Sequence, residues 1–495
     1  MKEPLIIKNK MPLWLKYIIL LFPFIVACFE LRTLDNDFYF LYPTGEYIFN
    51  NGFPHTDFLS MHSNMQLVVQ QWLSTVIFYL AYSRLGKIGL FALIYLCYAA
   101  ICVLTYRLNL LICKNEAVAV ILASVSNFLI FNQFMVTRPQ AFTLLVLLSE
   151  IFLLEKYAQS KKYAYLIGLP VLSLLQINLH ASMWPMFFVF MLPFIAGAIP
   201  VKIKSFKLEA NGNIIALLAT LAVSAGIGIL NPYGTDNMFY LFSSYGNNGL
   251  DTTISEMLPV NIGTTNGKTI FAIVLLMVFT VFILKKKPFS VRHVLLLLGT
   301  LLLALMHAKG IPYFYIYGIS AFSYIVKDVE IKLPDKITSK INNLYRILIA
   351  TILIVITAFI CVRNFTNFKN AASARQVHYD NLDEVVEILN RSSEPVVLYA
   401  NFGDGQYLEY KGYHPYIDGR AELFLQQNNK DFEYYGEYYS LRSAHTYYRD
   451  FTDKYMFNYL ILNGSSDRYL FETLSHDDEF EMVYEKDGVY LFARK

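Results

Sequence analysis

Residues 182–199 read SMWPMFFVFMLPFIAGAI and contain no charged side chain. An α-helix needs about 20 mostly apolar residues to cross the hydrocarbon core of a membrane. Comparable apolar runs recur at residues 13–31, 88–106, 116–133, 139–155, 163–178, 213–230, 268–284, 293–307, 310–326 and 344–362. The sequence therefore predicts a polytopic α-helical membrane protein with about eleven transmembrane helices.

The composition of the whole chain agrees with a membrane protein. Its 495 residues are 56% hydrophobic and 16% charged, whereas soluble domains carry about 25% charged residues. This excludes a wholly soluble enzyme and a disordered chain. The formal net charge of +3 gives no indication of a nucleic-acid partner. All five cysteines lie in or beside apolar runs, so no disulfide framework is predicted.

Charge divides the chain into two parts. Residues 363–495 hold 22 acidic and 14 basic side chains, a net charge of −8, whereas residues 1–362 carry +11. We predict a transmembrane module over residues 1–362 and a small soluble α/β domain over residues 363–495. In this domain the patterns predict a helix over 381–390, strands at 395–402 and 454–463, a turn at 403–405 and a hairpin around residues 486–488.

Lysine and arginine collect in alternate loops, and the positive-inside rule then places the N-terminus in the cytoplasm. An odd number of spans puts the C-terminal domain on the extracytoplasmic side. Two outer loops are long, at residues 32–87 and 231–269. Residues 70–86 at the end of the first loop have helical apolar spacing but are too short to span, so we predict an amphipathic helix on the outer leaflet.

The first long loop opens with two carboxylates, Asp35 and Asp37. Such a pair can bind a divalent cation or supply a general base; the alternative is that the acids cap a helix at the interface. Glu46, His55 and Asp57 follow in the same polar loop and are candidates for binding substrate.

Four further candidates lie in the other outer loops. Arg138 and Lys309 are cations on the side where cations are otherwise scarce, and each could meet a lipid phosphate or snorkel to the headgroups. His180 lies in a very short loop and is either structural or a substrate contact. Glu256 is a candidate for substrate binding and for an acidic partner of the first-loop carboxylates; the alternative is a solvated acid of its loop. No P-loop or Rossmann motif is present, which argues against a soluble nucleotide-sugar donor.

Taken in order, these residues resemble the bacterial membrane glycosyltransferases of the GT-C superfamily, to which protein O-mannosyltransferases and the lipid A aminoarabinose transferase are distantly related. The resemblance covers most of the chain, and only the ordered set of motifs is specific. The motifs are Asp35-x-Asp37, Thr44-Gly45-Glu46, Pro54-x-x-Asp57, Gln71-Trp72-Leu73, Thr137-Arg138-Pro139-Gln140, Asn178-Leu179-His180, Asn231-Pro232-Tyr233-Gly234, Ile311-Pro312-x-Phe314 and Ile417-Asp418-Gly419-Arg420.

The resemblance implies a multi-pass protein of the bacterial plasma membrane with a GT-C-like bundle. It implies a polyprenyl-phosphate sugar donor, a cell-envelope glycan or lipid acceptor, membrane lipids as neighbours, and inversion at the anomeric carbon. Asp37 or Asp35 would act as general base, and Arg138 and Lys309 would hold the donor phosphate. Similar proteins often have His at Leu41, Glu at Gln71 and Arg at Lys309, so a divalent cation on Asp35 and Asp37 stays open and no other cofactor is indicated.

Other functions fit the same general pattern. A polysaccharide polymerase or ligase would also use lipid-linked sugars outside the cell, but would rely on Arg and His in a late loop. A transporter of lipid-linked glycans would carry buried charges near the bilayer centre and an internal repeat. The sequence indicates neither, since Glu150 is expected near the inner end of the span 139–155 and the two halves show no similarity. A membrane-anchored scaffold would leave the first-loop acids unexplained.

Overall fold

The computed structural model describes residues 34–203, 206–208, 211–244, 256–284, 289–327, 375–464 and 466–495, together with Ile254 and a few single positions at 13–23, 355 and 362. The predicted spans 13–31 and 344–362 lie largely outside these residues. The predicted domain boundary at residue 363 also lies outside them.

Helices occupy the other predicted spans, most of them within a few residues of the expected limits. In chain order they are α1 (Phe38–Asn51), which lies in the first long loop, α2 (Trp72–Cys113), α3 (Glu116–Phe134), α4 (Gln140–Ser160), α5 (Ala164–Leu179), α6 (Trp184–Gly197), α7 (Ile214–Gly226), α8 (Gly234–Ser244), α9 (Thr265–Ile283) and α10 (Val291–Met306). Polar side chains define several starts: the Asn115 side chain accepts hydrogen bonds from the N–H groups of Ala117 and Val118, and Asn213 caps α7 in the same way.

The predicted span 310–326 differs from the structure. A helical segment, α11, begins at Ile311–Tyr313, continues through a π-helical turn at Phe314–Gly318 and ends with Ile319–Phe322. It is too short to cross a bilayer by itself. Its side chains are buried among the neighbouring helices, so the apolar character of this stretch serves protein packing.

Two described helices, α2 and α9, are each long and apolar enough to cross a membrane. The pair Ile214–Ile229 and Gly234–Phe242 is a third candidate, bent by 115° at its break. Within α2 the helix breaks at Gly86, whose φ of 60° is a backbone conformation that favours glycine. The break lies where the sequence predicts that the amphipathic helix 70–86 gives way to the span 88–106.

Helix α1 packs closely on the first part of α2. A Cβ atom at Gly45 would lie 2.2 Å from the carbonyl oxygen of Thr75, so only glycine allows this approach. Aromatic contacts continue from α1 to the C-terminal domain, with the rings of Tyr39 and Tyr407 4.8 Å apart.

The second long loop returns along the end of α10. Backbone hydrogen bonds run from the N–H of Ala308 to the carbonyl of Leu258 (3.1 Å) and from the N–H of Lys309 to the carbonyl of Glu256 (3.1 Å). These bonds place Glu256 beside Lys309.

A buried ion pair joins the C-terminal end of α4 to the N-terminal end of α10. Arg292 donates from Nε to Glu155 Oε2 (2.9 Å) and from Nη2 to Glu155 Oε1 (2.7 Å). His293 lies 3.4 Å from the same carboxylate and stacks on Tyr324. This bidentate pair satisfies two charges that would otherwise be costly to bury.

A short antiparallel strand pair, β1 (Val201–Ile203) and β2 (Phe206–Leu208), follows α6.

The C-terminal domain contains both helices and strands. In chain order its elements are α12 (375–389), β3 (Leu398–Ala400), α13 (Phe402–Tyr410), α14 (Gln426–Asn429), α15 (Tyr434–Arg442), α16 (Tyr448–Tyr455), β4 (Tyr459–Asn463), α17 (Arg468–Leu474), β5 (Phe480–Lys486) and β6 (Val489–Arg494). Its four strands form one sheet in the order β3-β4-β6-β5. β3 and β4 are parallel, and β5 and β6 form an antiparallel hairpin. The predicted helix at 381–390 and the predicted hairpin are therefore confirmed.

The predicted turn at 403–405 is wrong. These residues lie in α13, because the Asn401 side chain accepts hydrogen bonds from the N–H groups of Gly403 and Asp404 and starts a helix there. Gly405 also allows close contact, since a Cβ atom would lie 2.0 Å from the carbonyl oxygen of Ile417.

The C-terminal domain packs directly on the first long loop. Asn36 donates to the carbonyl of Gly403 (3.0 Å) and accepts from the hydroxyl of Tyr379 (2.7 Å). His62 stacks on Tyr434 with ring centroids 3.8 Å apart. Several of the many tyrosines in this domain are fully buried, including Tyr399 and Tyr416, which favours a packed core for most of them.

Candidate active site

Arg138 joins three carboxylates from two separate loops. Its Nε lies 2.5 Å from Asp35 Oδ1 and 3.1 Å from Asp37 Oδ2, and its Nη1 lies 2.9 Å from Glu256 Oε1. The N–H of Asp35 donates to the hydroxyl of Thr137 (2.9 Å), which fixes the start of α1 against the start of α4. The structure thus brings together four of the residues predicted from sequence.

Asp37, Arg138 and Glu256 lie at the wall of a cavity of about 270 Å³ between the first loop, the bundle and the C-terminal domain. The predicted site residues on its wall are Asp37, Arg138, His180, Glu256 and Lys309. The C-terminal domain completes the wall with Phe402 and residues 419–423. Asp35 does not line the cavity, but its carboxylate contacts Arg138, which does.

The pKa of the Asp37 carboxyl group lies well above the usual range for aspartate. Burial raises the pKa of its carboxyl to about 7, and the neighbouring carboxylates of Asp35 and Glu256 add to this shift, whereas Arg138 opposes it. A carboxyl group with this pKa exchanges protons near neutral pH, as a general base requires.

Lys309 and His180 face the same cavity. Burial lowers the pKa of Lys309 to about 8, so the ammonium form still predominates at neutral pH. Burial, with a smaller effect from Lys309, lowers the pKa of His180 to about 3. The neutral imidazole of His180 is held by Thr143, whose hydroxyl lies 2.8 Å from Nδ1.

No protein-family model matches the sequence, and no curated protein matches it. Solved structures do match. The archaeal oligosaccharyltransferase AglB from Archaeoglobus fulgidus, solved with an inhibitory peptide and a dolichol-phosphate, superposes with a TM-score of 0.55 at 10% identity, over 98% of this chain and 75% of that chain. ArnT from Cupriavidus metallidurans, bound to undecaprenyl phosphate, superposes with a TM-score of 0.51 at 10% identity, over 97% of this chain and 98% of that chain. Both are GT-C superfamily membrane glycosyltransferases. The chain has the GT-C fold.

Three predicted substrate contacts lie outside the cavity of this GT-C fold. Glu46 is exposed on α1, and His55 is exposed with its ring 5.5 Å from that of Tyr233. Asp57 is buried in an ion pair with Arg420, with Asp57 Oδ1 2.6 Å from Nη1. Asp57 therefore links the first loop to the C-terminal domain.

Arg420 is the centre of this link. Its guanidinium also lies 2.6 Å from Asp418 and 3.2 Å from Glu409, both fully buried at the side chain. Burial raises the pKa of Glu409 well above its usual range. Burial acts in the same direction on Asp57, but Arg420 and hydrogen bonds from Ser60 outweigh it and lower the pKa of Asp57.

Sequence reasoning missed several polar residues of the cavity wall, among them Gln70, Tyr240 and Glu422. Gln70 holds the loop that contains His180, since its side-chain oxygen accepts from the N–H of Ser182 (3.2 Å). Glu422 follows the Ile417-Asp418-Gly419-Arg420 motif by two residues, and its proximity to that motif was the available signal. The fold of the C-terminal domain brings Glu422 to the cavity.

A divalent cation at Asp35 and Asp37 would have to compete with Arg138. The guanidinium of Arg138 contacts one oxygen of each acid and already places a positive charge beside both. No group of three or more His, Cys, Asp or Glu side chains in the described part of the chain is arranged to hold a metal ion. The reaction proposed below has no step that uses a metal.

Proposed function

We propose that this protein is an integral-membrane glycosyltransferase that transfers a sugar from a polyprenyl-phosphate donor to a cell-envelope glycan or lipid acceptor. The observation that carries the proposal is the meeting of Asp37, Arg138, Glu256 and Lys309 at one cavity. The two neighbours with the same fold were solved with dolichol-phosphate and undecaprenyl phosphate, which supports a lipid-phosphate donor.

In this proposal Asp37 is the general base. The acceptor hydroxyl oxygen bonds to the anomeric carbon while its proton passes to the Asp37 carboxylate. The bond from the anomeric carbon to the phosphate oxygen breaks, and its electron pair leaves with the lipid phosphate. Attack opposite the leaving group inverts the anomeric centre. We choose Asp37 over Asp35 because Asp37 lines the cavity and has a pKa of about 7.

Lys309 is the proposed contact for the donor phosphate, since its ammonium neutralises charge on the leaving group. Arg138 has a double role. Its contacts with Asp35 and Asp37 orient the base, and its bond to Glu256 is exchangeable because about half of the Glu256 side chain is exposed (53%). A phosphate could therefore replace Glu256 on Nη1. His180, neutral and anchored by Thr143, would contact the sugar.

We also propose the bacterial plasma membrane as the location, with the cavity on the extracytoplasmic side. The basis is the alternation of Lys and Arg between loops. The cavity then opens where the headgroup of a lipid-linked donor lies.

A transfer assay tests the proposal. Purified protein in lipid is given radiolabelled polyprenyl-phosphate hexoses and a cell-envelope acceptor extract. We expect Asp37→Asn to lower the transfer rate by about 10²–10⁴-fold, the usual contribution of a general base. Asp35→Asn should have a smaller effect. Glu46→Gln is the matched control, because Glu46 is an exposed acid of the same loop. Transfer that survives Asp37→Asn unchanged refutes the assignment of the base.

One observation favours a second function, transport of the lipid-linked glycan. Glu150 lies midway along α4, is fully buried, and has no hydrogen-bond partner among the described residues. Buried acids in membrane helices often mark transport pathways. Vesicles that carry the protein and a fluorescent polyprenyl-phosphate analogue in one leaflet separate the two functions. Movement of the analogue between leaflets that Glu150→Gln abolishes, without sugar transfer, would favour transport.

A further inference from the structure

A second cleft lies on the C-terminal domain beside the cavity. It has a volume of about 480 Å³ and is lined by Phe402, Ile254 and one face of α15. Phe402 and Ile254 also line the cavity that contains Asp37. The two spaces are therefore neighbours that share part of one wall, and the cleft falls within the range of about 300–1,000 Å³ that is usual for ligand sites.

The side chains of α15 that line the cleft are spaced so that they lie on one face of the helix. Tyr435, Tyr438, Tyr439 and Arg442 follow the spacing i, i+3, i+4 and i+7, which places them on one side of a helix. Tyr435 and Tyr438 are buried beneath the cleft, whereas Tyr439 is 46% exposed. The floor of the cleft is therefore aromatic.

Arg442 is held in one orientation at the end of this face. Its Nε and Nη2 donate to the carbonyl of Ser466 (3.1 and 2.6 Å), and its Nη1 donates to the hydroxyl of Tyr438 (3.2 Å). A guanidinium has five N–H groups, so donors beyond these three bonds remain for a ligand. A third of the side chain (33%) is exposed.

The charge of Arg442 is matched inside the protein. The carboxylate of Asp467 is buried and lies 3.5 Å from Arg442 Nε. An anionic ligand would compete with this carboxylate, whereas a hydroxyl can accept a hydrogen bond without displacing it. The cleft thus combines aromatic faces, which carry partial negative charge and attract the C–H groups of a sugar ring, with a fixed donor for hydroxyls.

We propose that this face of α15 binds uncharged sugar units of a glycan acceptor, behind the unit whose hydroxyl reaches Asp37. The proposal rests on the proposed glycosyl transfer and adds the acceptor class: a glycan with neutral units next to its reactive end. Tyr439 stacks on a sugar ring, and Arg442 donates to its hydroxyls.

Crosslinking tests the binding independently of catalysis. A photoreactive phenylalanine replaces Tyr439 in the full chain in cells, and adducts are analysed by mass spectrometry. Tyr447, an exposed tyrosine of the same domain outside the cleft (56% exposed), is the control position. We expect neutral-hexose adducts at position 439 and not at position 447. Adducts with acidic glycans, with lipid or with peptide alone, or equal adducts at both positions, would overturn the proposal.

Kinetics separate this inference from the proposed function. In the transfer assay, Tyr439→Ala should raise the acceptor KM about fivefold, the equivalent of about 1 kcal/mol of aromatic contact, with kcat and donor KM unchanged. Tyr439→Phe should restore the wild-type KM. If Tyr439→Ala leaves the acceptor KM unchanged while Asp37→Asn is inactive, the proposed cleft is wrong and the proposed transferase function stands. If neutral-glycan adducts form at position 439 but no protein transfers sugar, the cleft stands and the transferase function is wrong.

Discussion

Replacement of Arg420 by Met is the sharpest test of how the C-terminal domain is held. The substitution keeps most of the apolar volume and removes the charge. Asp57 and Asp418 then lose a partner 2.6 Å away while their side chains stay fully buried. Breaking a buried ion pair by removal of one partner costs about 3–5 kcal/mol. Burial already raises the pKa of Glu409 well above its usual range, so this third acid contributes less to the loss than Asp57 and Asp418.

A loss of 3 kcal/mol raises the population of locally open molecules about 10²-fold. Amide hydrogen exchange in lipid nanodiscs measures this, and we expect faster exchange in residues 55–67 and 415–425. Arg468→Met is the control, because Arg468 is 80% exposed in an (i, i+4) pair with Glu472, a pair that contributes about 0.3–0.5 kcal/mol. Equal exchange in the two variants would refute the reasoning. Asp57→Asn added to Arg420→Met should recover part of the loss.

Three further results are expected. The transfer rate should rise with pH through an apparent pKa of about 7, because only the deprotonated Asp37 accepts the proton, and should fall again above about pH 8, where Lys309 loses its ammonium charge; a rate that is flat from pH 5 to 8 would contradict the role of Asp37. Lys309→Gln should raise the donor KM by about 10–100-fold, the effect of losing a charged hydrogen bond, and Lys309→Arg should recover much of it; equal donor KM values for all three proteins would exclude a phosphate contact. Gly45→Ala should lower the free energy of unfolding by about 1–3 kcal/mol, because the added Cβ would lie 2.2 Å from the Thr75 carbonyl oxygen. Thermal unfolding measures the loss, and Gly226→Ala is the control because no atom lies within 4 Å of its added Cβ.

The positions of the helices could be predicted because each depends on local apolar runs and caps. Residues 164–179 and 265–283 form helices close to their predicted limits for this reason. The predicted turn at 403–405 failed on a single capping side chain, Asn401, which converts a glycine-rich sequence into a helix start.

The partners within the site could be predicted only in part. Arg138 reaches Asp35 across 103 positions and Glu256 across 118 positions, and no local pattern encodes such contacts. The chemistry of each side chain indicated a site, but it did not indicate that Arg138 would form ion pairs with the acids. The link between Asp57 and Arg420, across 363 positions, is likewise a product of the tertiary fold.

The wall of the cavity formed by residues 402 and 419–423 has a consequence for biosynthesis. These residues are translated after the described helices of the bundle, and by the predicted orientation they must then cross the membrane before they can meet Asp37. A nascent chain that has already inserted its helices therefore has an open, unfinished pocket. If the proposed transfer is correct, it would begin only after residues 402–423 have crossed the membrane, so products truncated before these residues would occupy the membrane without consuming lipid-linked sugar.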